Sequence, residues 1–129
     1  MIHMPPVQLK SVSPILTVHD ISQALEFYQH SLGFDLAWSW GTPPELAAVC
    51  RDNVEITLAK RPDAQPSGPS RIYLGVSGID AYYAQILKPG TKIVVPIGDR
   101  SYGMRDFRIA DPSGNELNIG QTLADDSRR

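Results

Sequence analysis

The 129-residue sequence is poor in the residue types that carry most recognisable chemistry. Its single cysteine, Cys50, excludes an intrachain disulfide and a thiolate cluster for zinc. Cys50 lies in an apolar stretch, so we expect a buried structural thiol. No glycine-rich phosphate loop, Gly-x-Ser-x-Gly elbow or His-Glu-x-x-His motif is present. These absences argue against the common nucleotide-binding proteins, serine hydrolases and zinc peptidases.

A large net charge and long apolar runs are also lacking. The formal net charge is -2, with acidic and basic residues interspersed, so there is no basic stripe of the kind that binds nucleic acid. No run approaches the roughly 20 apolar residues that cross a bilayer. The first ten residues lack a charged region followed by an apolar run. We therefore expect no nucleic-acid partner, no membrane insertion, no signal peptide and a cytoplasmic location.

The sequence does contain a pattern of elements that occurs twice. Each half is predicted to form a strand, a helix and three more strands, because period-2 and helical spacing of apolar residues alternate between turn signals. The first half has strands at 13–18, 34–40, 46–50 and 54–59 and a helix from Ile21 to Leu32. The second half has strands at 71–76, 91–96, 104–109 and 116–121 and a helix at 79–87.

The two halves align when Val18 is laid on Val76. We expect one domain over 1–129, with module one at about 11–60, a Pro-, Gly- and Ser-containing linker at 61–70 and module two at about 71–121. Modules this small should share one core. By parity the apolar strand face carries Leu16, Val18, Val54, Ile56, Leu74, Val76, Leu117 and Ile119. The opposite face is semi-polar and is expected to line a wet cleft.

Two segments carry a family resemblance. LTVHDISQALEFYQHSLGF and SYGMRDFRIADPSGNELNIGQ resemble the opening and closing segments of the vicinal oxygen chelate superfamily, which includes glyoxalase I, extradiol dioxygenases and bleomycin-resistance proteins. The resemblance covers about Ser13 to Gln121. It implies an α+β fold in which two βαβββ modules form a curved mixed sheet around a concave cleft. Fold alone does not fix the reaction.

The resemblance also implies four positions that hold a divalent metal in the enzymes of the superfamily. These positions are Ser13, Glu55, Arg71 and Asn118 in this chain. Only Glu55 is a good ligand for a divalent transition metal. Arg71 is always protonated and has no acceptor, so it cannot ligate a cation. We therefore predict no metal and no other cofactor.

Arg71 requires another role if it lies in the cleft. One hypothesis is an Arg71–Glu55 ion pair in the place where the enzymes hold their metal, because a buried charge needs a partner. A second is that Arg71 receives an anionic ligand group. In a third, Arg71 extends into solvent as a surface arginine. The histidines do not restore a metal site, because His3 lies in the N-terminal tail, and His19 and His30 are expected to be exposed.

Aromatic residues are the other candidates for the cleft. Flat rings line binding pockets and stack on planar ligands. Simple core packing is the alternative for each of them, least so for Tyr102, which lies in a loop beside Gly103. The predicted aromatic ligand-binding residues are Trp38, Trp40, Tyr73, Tyr102 and Phe107, beside Ser13, Glu55, Arg71 and Asn118.

These observations favour a metal-independent binding protein resembling the bleomycin-resistance branch, which would sequester a small, planar or aromatic drug or metabolite. The resemblance implies a homodimer, with or without exchanged modules. An alternative is an enzyme of the same superfamily, a lyase, isomerase or dioxygenase, with Glu55 as metal ligand or general base. A third possibility is a paralogue with an empty cleft and an interaction role.

Overall fold

The computed structural model describes residues 6–60, 70–88 and 90–123. The predicted linker therefore lies almost wholly outside the described residues, and His3 lies outside them too. The first module consists of β1 (Ile15–Val18), α1 (Ile21–Glu26), a π-helical turn (Phe27–Ser31), β2 (Asp35–Trp40), β3 (Leu46–Arg51) and β4 (Val54–Lys60). The second consists of β5 (Arg71–Gly75), α2 (Ile79–Ile86), β6 (Lys92–Asp99), β7 (Met104–Ala110) and β8 (Glu116–Thr122).

The two modules have the same topology. Each forms a four-stranded mixed sheet, in the order β1-β4-β3-β2 in the first and β5-β8-β7-β6 in the second. β1 runs parallel to β4 and β5 runs parallel to β8, while the other neighbours are antiparallel. The predicted α+β fold of two βαβββ modules is confirmed.

Local signals explain where the first helix begins and how it continues. Asp20 Oδ1 accepts a hydrogen bond from the Gln23 N–H at 2.9 Å, which satisfies a free backbone donor of the first turn. After Glu26 the backbone widens, and the N–H of Leu32 donates to the Phe27 carbonyl, five residues back. This wider turn precedes the glycine at 33, which has a positive φ of 75°.

The modules share one hydrophobic core. The core includes residues from both sheets and both helices, as expected for units too small to bury enough apolar surface alone. The strand residues predicted by parity to be apolar lie in this core or pack against it: Leu16, Val18, Val54, Ile56, Leu74, Val76, Leu117 and Ile119. The parity prediction is therefore confirmed.

Phe107 belongs to this core, and its prediction as a ligand-binding residue is wrong. It is fully buried and packs edge-to-face on Tyr83, with ring centroids 4.8 Å apart. The cause is strand register, because Phe107 on β7 pairs with Ile119 on β8 and so faces the same side of the sheet. Its chain neighbour Asp106 faces the opposite side.

The other side of each sheet is an open face. The first open face carries Ile15, Trp38, Trp40, Cys50, Glu55 and Thr57, and the second carries Arg71, Tyr73, Asp106, Arg108, Glu116, Asn118 and Gly120. Several large side chains remain exposed on them: Ile15, Trp38, Trp40 and Tyr73. No described part of the chain therefore covers these faces fully.

Two junctions hold the modules together. In the closed junction, the Asp111–Asn115 turn between β7 and β8 contacts β1 and the π-helical turn. Tyr28 Oη donates to Asp111 Oδ2 at 2.9 Å, and Asn115 Nδ2 donates to the Thr17 carbonyl at 2.9 Å. In the open junction, Arg51 at the β3–β4 turn lies over the ring of Tyr82 on α2, 5.1 Å from its centroid.

Candidate functional site

A buried carboxylate organises the second open face. Asp106 is 3% exposed, and its side chain accepts hydrogen bonds from three others. Tyr102 Oη lies 2.6 Å and Tyr73 Oη 3.1 Å from Asp106 Oδ2, while Arg100 Nε lies 2.8 Å from Oδ1. We call these four residues the Asp106 cluster. Such charge-assisted bonds compensate the cost of burying the carboxylate.

Gly120 makes this arrangement possible. It pairs with Asp106 across β7 and β8 and lies directly beneath Tyr73. A Cβ at position 120 would overlap the Tyr73 hydroxyl. The tyrosine can therefore cross β8 and reach the carboxylate only because this strand position has no side chain.

Arg100 is held in place by further bonds to the backbone. Its Nη2 donates to the carbonyls of Pro96 and Asp106, at 2.6 Å and 2.9 Å. The guanidinium thus connects the end of β6 to β7. Tyr102 lies in the loop directly after Arg100, so these bonds also help to fix the position of Tyr102.

The cluster shifts the ionisation of its members away from neutral pH. Burial raises the pKa of Asp106, but the hydrogen bonds from Arg100, Tyr102 and Tyr73 outweigh it, and the net pKa is lowered. Burial, then the hydrogen bond to Asp106, raises the pKa of Tyr73 to about 12. The hydrogen bond to Asp106 is the first cause of the raised pKa of Tyr102. None of these three groups changes protonation near neutral pH.

The two tyrosine hydroxyls are directed towards Asp106, so their rings form the outer surface of the cluster. Tyr73 is 48% and Tyr102 is 65% exposed. The rings are fixed without being buried, which lowers the entropy cost of stacking on a planar molecule. The cluster can bind such a molecule but has no proton donor or acceptor poised for general acid–base work.

A second polar group lies beside the cluster. Glu116 Oε1 is 3.8 Å from Arg71 Nε and 3.5 Å from Arg108 Nη1. Arg71 therefore pairs with Glu116, and among the described residues it makes no ion pair with Glu55, so the sequence-based pairing is wrong for a single chain. Arg108 Nε and Asn118 Oδ1 are buried, and neither has a hydrogen-bond partner among the described residues. Such orphaned atoms are rare in folded proteins.

The first open face is more aromatic. Trp38 and Trp40 lie on β2, opposite Ala48 and Leu46 of β3, and are 41% and 65% exposed. Glu55 is exposed on the same face, and Ser13 Oγ donates to the Glu55 carbonyl at 3.2 Å. Cys50 pairs with Glu55 across β3 and β4 and is half-buried, so the expectation of a buried thiol is wrong.

The residues at the four positions implied for a metal do not form a site that suits a metal ion. Glu55 and Ser13 lie on the first sheet, or just before it, and Arg71 and Asn118 on the second. Arg71 presents a guanidinium already held by Glu116, which would repel a dication. Across residues 6–60, 70–88 and 90–123, no three His, Cys, Asp or Glu side chains come together in a metal-binding geometry.

The structure therefore groups the predicted residues into two sets. Trp38, Trp40 and Glu55 share the first open face, and Arg71, Tyr73 and Asn118 share the second, with Tyr102 joined to it through Asp106. Sequence reasoning missed Asp106 and Arg100. The signal that could have found Asp106 is its alternation with the buried Phe107 in β7.

Known proteins share this fold. TioX from Micromonospora sp. ML1 superposes with a TM-score of 0.79, at 17% sequence identity, over 88% of this chain and 99% of that one. The bleomycin-binding protein of Streptomyces verticillus, solved with copper(II)-bleomycin, superposes with a TM-score of 0.74, at 20% identity, over 88% of this chain and 97% of that one. Identities this low show the fold alone.

Sequence comparison gives relatives and a family. The uncharacterized protein Mb0911c of Mycobacterium bovis is 26% identical over 127 residues, covering 88% of this chain and 84% of that protein. None of the helices in the described part of the chain is long and apolar enough to cross a membrane. The model of the Glyoxalase/Bleomycin resistance protein/Dioxygenase superfamily matches residues 8–119. The chain therefore belongs to the glyoxalase, bleomycin resistance protein and dioxygenase superfamily.

Proposed function

We propose that the protein binds a small planar or aromatic molecule on its open sheet faces and acts by sequestration, without a metal and without chemical turnover. The Asp106 cluster is the observation that carries the proposal. It fixes two exposed tyrosine rings, and none of its carboxyl and phenol groups titrates near neutral pH. A ligand-binding surface needs such fixed rings, whereas an acid–base catalyst needs a group that exchanges protons.

The proposal includes a homodimer. Trp38, Trp40, Ile15 and Tyr73 are exposed on faces that the described residues of one chain do not cover. A second copy would bring the tryptophan-bearing first face of one chain against the second face of the other. A cleft between two chains would then enclose the ligand, with the exchanged or unexchanged arrangement depending on the linker. We further propose that the protein works in the cytoplasm.

The fold neighbour that binds copper(II)-bleomycin supports a ligand of this kind without identifying it. The Arg71–Glu116–Arg108 group supplies polar anchors beside the tyrosine rings. Pockets for small molecules commonly combine a few such anchors with aromatic walls. Drug resistance by sequestration is one role that follows if the ligand is toxic.

The test is a thermal-shift screen against planar drugs, divalent metals and small carboxylates, each with and without chelator. A planar compound should raise the melting temperature, and chelator should not change this effect, because a ligand that binds only the folded state stabilises it by mass action. Tyr102→Ala should weaken that compound's binding by about tenfold, the order expected for one aromatic contact. The matched control is Leu87→Ala, which removes another exposed apolar side chain, directly after α2 and away from the open faces.

Two results would overturn the proposal. One is a stoichiometric metal in protein purified without chelator, lost in Glu55→Gln. The other is equal binding by the Tyr102→Ala and Leu87→Ala variants. Sedimentation at several concentrations tests the homodimer separately, and a monomer throughout would contradict it.

A further inference from the structure

A cavity lies away from the open faces. It has a volume of about 650 Å³ and is situated in the open junction, between the β3–β4 turn of the first module and the start of α2 in the second. Core-side residues Phe34, Val54 and Leu74 form its apolar wall, and Arg51, Ser77 and Gln85 supply polar groups. Its volume is within the range of roughly 300–1,000 Å³ that small-molecule sites occupy.

The internal repeat explains why this cavity exists. In the closed junction, five residues link β7 to β8, and their side chains fill the space: Asn115 Nδ2 donates to the Thr17 carbonyl, and Ser113 Oγ accepts from the His19 N–H at 2.9 Å. Only Asp52 and Asn53 link β3 to β4 in the open junction. The shorter turn leaves the corresponding space between the modules unfilled by side chains of the described residues.

Arg51 is fixed at the edge of this cavity. Its Nη1 donates to the Leu32 carbonyl at 2.9 Å, and Tyr82 Oη donates to the same oxygen at 2.7 Å. The guanidinium lies over the Tyr82 ring, an arrangement favourable for a cation and an aromatic face. Gly33 leaves room for it, because a Cβ there would lie 2.7 Å from Nη1. The guanidinium is therefore preorganised before any ligand arrives.

Arg51 makes the longest ion pair among the arginines of the described ranges. Arg100 and Arg105 lie 2.8 Å and 2.9 Å from carboxylate oxygens, and Arg108 and Arg71 lie 3.5 Å and 3.8 Å from Glu116. The carboxylate beside Arg51 is that of Asp52, at 4.0 Å, and its side chain is 90% exposed. An exposed pair at that distance contributes little, so the guanidinium remains available for another anion.

We propose that this cavity is a second binding site, distinct from the open faces, for a small organic acid. The anionic group would pair with the guanidinium of Arg51, whose planar fork suits carboxylates and phosphates. The apolar body would lie against Phe34, Val54 and Leu74, next to the backbone of Gly75–Gly78. The volume exceeds what a bare inorganic anion needs, which favours an acid with an apolar body. Because the ligand would contact both modules, it would also stabilise their junction.

The experiment uses benzoate, phenyl phosphate and neutral benzamide as probes with the full chain, followed by amide ¹H–¹⁵N NMR. We expect saturable shifts of the Ser77 and Gly78 resonances with benzoate or phenyl phosphate and at least tenfold weaker binding of benzamide. Comparing the two anions distinguishes a carboxylate from a phosphate ligand. Arg51→Gln should reduce the affinity at least tenfold, and Arg51→Lys, which keeps the charge without the fork, should fall between. Lys10→Gln is the matched control, because it removes a positive charge from an exposed residue outside the cavity and the open faces.

Several outcomes would overturn the proposal. These are no saturable shift with either anion at millimolar concentration, benzamide binding as well as benzoate, or shifts confined to the open faces that vanish in Arg71→Gln. An Arg51→Gln variant that is less stable yet still binds benzoate would assign Arg51 a purely structural role. If Arg51→Gln fails to fold, the Arg51→Lys affinity and the benzoate-to-benzamide ratio in the native chain decide the question.

Discussion

The two junctions join equivalent parts of the two modules, yet one is filled by its own side chains and the other contains a cavity. In the closed junction a buried carboxylate, Asp111, lies beside Tyr28. In the open junction a half-exposed guanidinium, Arg51, lies beside Tyr82. The tyrosines face groups of opposite charge, and the turns that supply those groups differ in length.

The closed junction contributes to the stability of the fold, whereas the open junction has surface left for binding. Asp111 also accepts the backbone N–H groups of Ser113 and Asn115, each at 2.9 Å, so one buried carboxylate satisfies the turn and the module contact together. The open junction offers two donors to the Leu32 carbonyl and leaves its remaining surface to solvent. In a duplicated architecture, one copy of a contact can stabilise the fold while the other is free to bind a ligand.

The largest expected effect comes from breaking the closed junction. Asp111→Ala leaves the Tyr28 hydroxyl, the Asn115 amide and two backbone N–H groups without their acceptor, and should lower the free energy of unfolding by about 3 kcal/mol or more. Arg51→Ala removes a half-exposed contact and should cost about 1 kcal/mol. Urea unfolding of both variants measures the difference. Equal losses would contradict the assignment of stability to the closed junction.

An intermediate effect is expected at alkaline pH. Burial, then the charge and hydrogen bond of Asp111, raises the pKa of Tyr28 above its ordinary value of 10.0. A raised folded-state pKa means that the neutral phenol stabilises the fold below about pH 10, and that this contribution is lost as the pH rises further. Tyr28→Phe should therefore flatten the decline of stability above pH 10.

Tyr82→Phe provides the comparison for this titration. Burial raises the pKa of Tyr82, but the charge and hydrogen bonding of Arg51 oppose the rise. Replacing the Tyr82 phenol should therefore flatten the alkaline decline of stability less than Tyr28→Phe does. Unfolding at a series of pH values from 8 to 11, roughly one unit or more around the ordinary tyrosine pKa, measures both effects. A larger effect of Tyr82→Phe would reverse the electrostatic contrast between the junctions.

The smallest expected effect is at the tip of the short turn. Asp52 has a positive φ of 52°, a region that glycine adopts without steric cost. Asp52→Gly relieves this conformation but increases the entropy of the unfolded chain, so stability should change by less than about 0.5 kcal/mol. Thermal unfolding tests this, and a large loss would show that the exposed Asp52 carboxylate supports Arg51 more strongly than its 4.0 Å separation indicates.

Much of the fold could be predicted because it depends on short-range patterns. The spacing of Ile21, Ala24 and Tyr28 marked a buried helix face, and alternation placed Leu16 and Ile119 in the core. The repeat itself followed from matching Val18 to Val76. Such patterns are set by backbone geometry, which neighbouring residues determine.

The site depended on contacts that no local pattern encodes. Tyr73 reaches Asp106 from 33 residues away in sequence, across a strand position that happens to be glycine. Arg71 pairs with Glu116 because β5 lies beside β8, and one chain does not bring it into an ion pair with Glu55. The prediction for Phe107 was wrong because the loop before β7 left its parity undetermined from sequence.

The glycine at position 120 has a consequence for how this protein can vary among its relatives. The Tyr73 hydroxyl lies in the space that a Cβ at 120 would need, whereas Tyr73 itself can be shortened without any change at 120. A relative with a larger residue at 120 must move or lose the tyrosine, and its buried carboxylate at 106 then loses a donor. A single substitution at position 120 would thus change both the surface shape of the second open face and the hydrogen bonding of its buried carboxylate.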